Sequence, residues 1–259
     1  MKQYDNNQER TAEYLKKFDR KKILKSLVNK EKPIIFDIGA NLGQSLLEFK
    51  SWWGDSEVHC FEPQEECWKN LEEIKNNFSD KEVFINKFAM SSVAEDAKIF
   101  YSHEVDNTKG TSGFNKINLD SSDSIHLNDL KNSDSSDLKV KDYKNTINHQ
   151  REVQVLRADQ YMENLDIKNI DLLKIDTQGH EPEVLEGFGT RLADVGCVIT
   201  ELMFYDYYER SLSFSDLEKF LIPAGFHLYD INHIVKNPMN GRTDWVDVIY
   251  INNKYKELF

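Results

Sequence analysis

Three cysteines in 259 residues, Cys60, Cys67 and Cys197, are too few and too far apart for a disulfide framework. Their number is odd and their spacing matches no thiolate metal site. Cys60 falls in an expected strand, Cys67 on a helix face and Cys197 just before a strand. Buried thiols in a reducing cytosol, and hence a cytoplasmic location, are the expectation. No apolar run approaches the ~20 residues needed to span a bilayer, and the N-terminus is polar. Positive charge is scarce: 33 Lys and Arg against 45 Asp and Glu leave a net charge of −12. Nucleic acid is therefore not an expected partner, since phosphate neutralisation needs a basic surface. The basic stretch Lys16, Lys17, Arg20, Lys21, Lys22 and Lys25 reads as the solvated face of an N-terminal helix. No internal repeat is evident.

What the chain does have is an apolar run, Ile34 to Ile38, that carries Asp37 and breaks into Gly39-Ala40-Asn41-Leu42-Gly43. A helical pattern follows at once, with Leu46, Leu47 and Phe49. Strand, tight loop and helix in this order set backbone N–H groups and a positive helix end against a ligand. About twenty residues on, a second strand, Val58-His59-Cys60-Phe61, ends in Glu62-Pro63, where a carboxylate can accept hydrogen bonds from ribose hydroxyls. The loop lacks the middle glycine that a pyrophosphate needs; Asn41 stands there. No Gly-Lys-Ser/Thr follows either. A nucleoside cofactor without phosphate fits better. S-adenosylmethionine has a ribose for Glu62 and an amino acid end for the loop and Asp37.

Residues 1–32 form an expected helical segment, helical from Glu9 to Val28, and Pro33 marks the start of the main domain, 33–259. Cys67, Leu71, Ile74 and Phe78 give a clean helix stripe. Val83 to Phe88 is an expected strand, followed by Ala89-Met90-Ser91-Ser92, with Ile99 and Phe100 in a further strand. From about 103 to 150 the chain is rich in Ser, Asp, Asn and Lys, nearly low-complexity over Ser121 to Asp137. It reads as a polar insertion, lid or passive, over the acceptor side. Order returns at Val153 and Val155, then a short helix at Asp159. Ile170 to Asp176 is the strongest later strand, with Pro182 in the first turn of the helix after it. Val198 to Leu202 is another strand. Ser215 with Glu218 suggests a capping box, and Gly225 a helix stop. Phe226 to Ile231 and Val246 to Ile251 are the last strands, joined by a turn at Asn237, Pro238, Asn240 and Gly241. Strands alternating with helices predict an α/β fold: a mostly parallel sheet, helices on both faces and an antiparallel edge hairpin.

A second constellation, Lys174-Ile175-Asp176-Thr177-Gln178-Gly179-His180-Glu181, lies where ligands bind in open α/β sheets. Glu181 and Gly179 suit an ordinary turn and helix start. Asp176, a carboxylate closing an apolar strand, does not. Candidates for a catalytic base are Asp176, His180, Glu181 and Glu201, and Asp176 could instead hold the cofactor. Asp176 and Glu201 are only two possible oxygen ligands, so no metal is expected.

The pieces FDIGANLGQS (Phe36–Ser45), FEPQ (Phe61–Gln64), AMSS (Ala89–Ser92), LLKIDTQGHEPEVLEG (Leu172–Gly187) and ITEL (Ile199–Leu202) resemble the FkbM-type family of S-adenosylmethionine-dependent methyltransferases. The resemblance spans residue 33 to about 251. It implies a Rossmann-like class I methyltransferase fold with a seven-stranded sheet. Cofactor contacts would come from Asp37, Gly39, Ala40, Asn41, Gly43, Phe61, Glu62, Pro63, Ala89, Met90 and Asp176. It also implies O-methyl transfer to a small-molecule or glycan hydroxyl, a sugar or glycoconjugate first of all. The long insertion departs from the family pattern, and position 180 is not fixed in it. N-methyltransferases usually carry an Asn-Pro-Pro-Tyr type motif after the fourth strand, which Asp176-Thr177-Gln178-Gly179 does not resemble. A binding module that kept the cofactor site but lost activity is the remaining alternative. Sequence sets neither the acceptor nor the oligomeric state.

Overall fold

The computed structural model describes residues 6–78, 82–103, 110–121 and 147–254. Its main sheet comprises β1 (Ile34–Ile38), β2 (Glu57–Phe61), β3 (Val83–Asn86), β7 (Ile170–Ile175), β8 (Val195–Met203), β9 (Phe226–Lys236) and β10 (Thr243–Asn252). Their order is β3-β2-β1-β7-β8-β10-β9. β1, β2, β3, β7 and β8 pair in parallel, and β10 runs antiparallel to both neighbours. This is the expected doubly covered sheet with an antiparallel edge hairpin. Every residue of β7 is buried, as a central strand covered on both faces must be.

Strand alternation divides the core. Phe36, Leu173, Ile175 and Val198 face one side, packed against α5 (Ala158–Asn164), α6 (Glu181–Gly187) and α7 (Phe214–Leu221). Ile35, Leu172, Cys197, Ile199 and Ile249 face the other, under α2 (Arg20–Val28), α3 (Gln44–Trp52) and α4 (Glu65–Asn77). Asp37, Lys174, Glu201 and Asp247 continue this second face, each two positions beyond an apolar residue. Asp37 is opposite Lys174 and Glu201 opposite Asp247. A polar row therefore crosses the top of an otherwise apolar face.

Several expectations are corrected. The N-terminal helix is two helices, α1 (Asn7–Lys17) and α2, because Phe18 is extended and Asp19 caps α2 by accepting the Lys22 N–H at 2.8 Å. α2 buries Ile23, Leu24, Leu27 and Val28 in the core. β3 stops at Asn86, and Ala89–Met90 (β4) joins β5 (Glu95–Ser102) and β6 (His149–Leu156) in a separate three-stranded sheet, order β4-β6-β5. Cys197 lies within β8; the strand starts at Val195 and runs through Gly196. The capping box is Ser213 with Asp216, which starts α7 at Phe214 and lets that ring pack on the core. All three cysteines are free and buried. No helix among the described residues is long and apolar enough to cross a membrane.

Candidate active site

At the carboxyl ends of β1, β2 and β7 lies a cleft of about 580 Å³. Its walls include Gly39, Asn41, Phe61, Glu62, Pro63, Ala89, Met90, Asp176, Thr177 and Gln178. Asp37, Ala40 and Gly43 do not line it. Gly39 and Asn41 adopt left-handed φ angles of 81° and 47°, which glycine and asparagine tolerate. A Cβ on Gly39 would stand 1.8 Å from the Asp176 carbonyl oxygen, and one on Gly43 2.6 Å from Ile74. The two glycines thus serve the approach of β1 to the β7 loop and of α4 to the cofactor loop. The sequence places both against the ligand; Gly39 also lines the cleft, and Gly43 does not.

Glu62 is buried at the edge of the cleft. The Asn41 N–H donates to its Oε2 and the Gln64 N–H to its Oε1, both at 2.8 Å. One carboxylate thus ties the first loop to the start of α4, and each oxygen keeps a second acceptor site. Burial pushes its pKa up to about 7. Asp37 lies beneath the loop with no exposure, its Oδ1 3.2 Å from Lys174 Nζ. Lys174 also donates to the Gly39 carbonyl at 3.0 Å and stands 3.5 Å from Asp176 Oδ2. Those two carboxylates outweigh its burial, so its pKa lies above the ordinary lysine value. This one ammonium joins the glycine loop to Asp176.

The Asp176 loop is held from below. Glu181 Oε1 accepts from the Thr177 and Gly179 N–H groups at 2.8 and 3.2 Å, so Glu181 is taken up by the turn. Gln178 has a left-handed φ of 56°. Its Nε2 donates to Asp176 Oδ1 at 2.8 Å. The Tyr208 hydroxyl lies 2.8 Å from Gln178 Oε1 and 2.7 Å from the Thr111 carbonyl. His180 is turned away from the cleft. Its Nε2 is 3.0 Å from Ser91 Oγ, its ring packs on Phe114, and burial drives its pKa down to about 3. It is a neutral bridge between two loops.

A second cavity of about 550 Å³ adjoins the first, and Asp176 lines both. Glu201, Trp245, Asp247, Lys174 and Thr200 form its walls with Ser45 and Arg20. Arg20 thus leaves the solvated basic face to which its sequence context assigned it. Glu201 has its pKa pushed up to about 9 by burial and by the neighbouring Asp176 and Asp247 carboxylates.

Part of the polar insertion also belongs to the site. Gly110, Ser112, Gly113 and Phe114 line the cleft, and Phe100 of β5 stands beside them. Gly113 exchanges two backbone hydrogen bonds with Tyr101, and Asn115 donates to the Gln178 carbonyl. The Ser121–Asp137 stretch lies outside the described residues after Ser121. Phe114 and Tyr208 carry no motif in the sequence; only the tertiary contact reveals them.

Among the described residues, no Lys or Arg lines the first cleft. That suits a cofactor without phosphate. Glu62 and Asp176 are its acidic groups, and Phe61, Met90 and Phe100 give it an apolar end. The residues fit S-adenosylmethionine, a cation with a ribose and a purine.

The methyltransferase FkbM domain profile matches residues 37–228. Among solved structures, an FkbM methyltransferase from Methylobacillus flagellatus KT superposes with a TM-score of 0.50 at 12% identity. That match covers 85% of this chain and 44% of that one, so this chain spans under half the relative's length. Magnesium protoporphyrin IX methyltransferase from Synechocystis PCC 6803, solved with bound SAM, gives a TM-score of 0.45 at 7% identity, covering 98% of this chain and 86% of that one. No curated protein matches the chain. With its Rossmann-like methyltransferase fold and S-adenosylmethionine as its cofactor, this chain belongs to the FkbM family of methyltransferases.

Proposed function

We propose that this chain is an O-methyltransferase for a hydroxyl of a sugar or glycoconjugate. The observation that carries the reading is the position of Asp176, in the wall of both the cofactor cleft and the cavity beside it. When bound, S-adenosylmethionine supplies an electrophilic methyl group. The protein must align an acceptor oxygen with it, a contribution of up to ~7–11 kcal/mol in well-oriented reactions. Asp176 is aimed by Gln178 at Oδ1 and flanked by Lys174 at Oδ2. In this reading it accepts the hydroxyl proton as the oxygen–methyl bond forms and the methyl–sulfur bond breaks, a general-base contribution of ~10²–10⁴-fold. Glu201, with a pKa of about 9, is protonated at neutral pH, so it donates a hydrogen bond rather than acting as base. His180 is neutral but sealed from the cleft. Asp176 is therefore the assigned base, Glu201 an orienting donor and His180 a structural bridge.

The acceptor cavity supports a polyhydroxylated ring. Trp245 offers an indole for the ring's C–H face, and Asp247, Glu201 and Arg20 offer acceptors and donors for its hydroxyls. The test is isotopic methyl transfer to a panel of neutral sugars, amino sugars and glycosides, with the methylated atom located by NMR. Label on oxygen supports the reading. Label on nitrogen would replace it with N-methylation, and S-adenosylhomocysteine binding without transfer to any acceptor would indicate a binding module.

A further inference from the structure

The sheet order fixes how a nucleoside cofactor must lie. From the centre outward, β7, β1, β2 and β3 present Asp176, the Gly39–Asn41 loop, Glu62 and then, just after β3, Ala89–Met90. With the amino acid end at the loop and the ribose at Glu62, the base falls at Ala89–Met90. Two aromatic rings stand there. Phe100 is buried, with Ala89, Val153 and Val155, and Phe114 packs against that cluster. Phe114 meets Phe100 edge-on, with ring centroids 5.3 Å apart, and lies 4.3 Å from the His180 ring. Phe114 is only half-buried and lines the cleft.

Its backbone is not free to swing. Gly113 is paired with Tyr101, the Asn118 N–H donates to the Tyr207 carbonyl, and Ile117 bridges Tyr208. A Cβ on Gly113 would stand 3.2 Å from the Thr177 carbonyl and 3.3 Å from Gln178 Cβ, so the strap lies flat on the catalytic loop.

We propose that Phe114, carried into the cleft by the 110–121 strap of the polar insertion, is a purine-contacting residue of the cofactor site. The proposal rests on the reading of the cleft as the S-adenosylmethionine site. It makes one part of the insertion a fixed wall of that site. A ring held by neighbours on a pinned backbone presents a flat apolar surface without ordering a new side chain on binding. The same strap reaches Gln178 through Asn115, so the wall at the base end and the carboxylate at the methyl end share one support.

The experiment is titration calorimetry of the full chain with S-adenosylhomocysteine and with 5′-methylthioadenosine, which keeps the base and ribose but lacks the amino acid. Phe114→Ala and Phe114→Leu should weaken both ligands by the same factor, about tenfold, since an aromatic contact beyond simple burial is worth roughly 2- to 12-fold. Phe114→Tyr should bind within about twofold of wild type. Phe114→Leu keeps apolar volume in the cluster, so it guards against loss of fold, which thermal melting of each variant checks. Unchanged affinity in the Leu and Ala variants alongside lowered melting temperatures would make Phe114 a core residue only and overturn the proposal. So would weakening confined to S-adenosylhomocysteine. If wild type bound neither ligand, the cofactor reading itself would fall, and the proposal with it.

Discussion

Glu62→Gln removes one charge and one acceptor from the cleft at nearly constant volume. Both wild-type oxygens already accept a backbone N–H; the variant's amide can accept only one and turns its NH₂ toward the other donor. That mismatch is present with or without ligand, so it lowers stability, by ~1–3 kcal/mol, more than it lowers affinity. With Glu62 proposed as the ribose acceptor, affinity should fall through loss of that charge-assisted bond, worth ~1.5–3 kcal/mol, or about 10- to 100-fold. A pH signature separates the two effects. The free-protein pKa is raised by burial to about 7, and the ribose hydroxyls bind the ionised form. Binding therefore expels a proton below pH 7. Affinity for S-adenosylhomocysteine should be flat above about pH 7 and fall toward tenfold per unit below it. In the variant this slope should vanish. Calorimetry from pH 5 to 8.5 reads both quantities. Unchanged affinity in the folded variant, or a slope that survives the substitution, would refute the reasoning.

Other substitutions test separate parts of the site. Gly39→Ala places a Cβ 1.8 Å from the Asp176 carbonyl at φ 81°; it should cost ~3 kcal/mol or more and abolish cofactor binding, whereas Gly54→Ala, with open space around it, should melt near wild type. Glu201 has a folded pKa of about 9, raised by burial and the neighbouring carboxylates from the ordinary glutamate value of about 4.5. Its contribution to stability is therefore full below about pH 4.5 and is lost as pH rises toward 9. Glu201→Gln should match wild type in melting near pH 4.5 and melt above it at pH 8, with the gap widening as pH rises; parallel melting curves would contradict this. His180→Gln should lower stability by ~1–3 kcal/mol through the lost Ser91 contact and leave no ionisation near pH 6.5 missing from the rate profile, because the wild-type ring is already neutral with a pKa near 3.

The parts of the fold visible in the sequence are those set by local pattern. β1, β7 and β8 are apolar runs that end in a carboxylate or a turn, and the loop from Gly39 to Gly43 bears its own backbone requirement. Glu62 was legible because it follows β2 directly. What stayed hidden depends on contacts across long separations. β4 was not read as a strand, because only pairing with Val155 and Leu156 makes Ala89–Met90 part of a second sheet. His180 read as a possible base because Ser91, 89 residues away, and Phe114, from the polar insertion, are what bury it. The capping box slipped by two residues because Ser213-Asp216 and Ser215-Glu218 both carry the local signature, and packing of Phe214 decides between them. Arg20 sits in a basic run that gives no sign of which member faces the sheet.

The most direct test of the account is Asp176→Asn, with kcat for methyl transfer measured at saturating S-adenosylmethionine alongside S-adenosylhomocysteine affinity. The side chain keeps its size and an oxygen for Gln178, but loses the charge that faces Lys174 and with it the basic oxygen. The variant is expected to fold, with cofactor affinity within a few-fold of wild type and kcat lowered by about 10²-fold or more. A near-wild-type kcat, or a rate loss carried wholly by weaker cofactor binding, would contradict it.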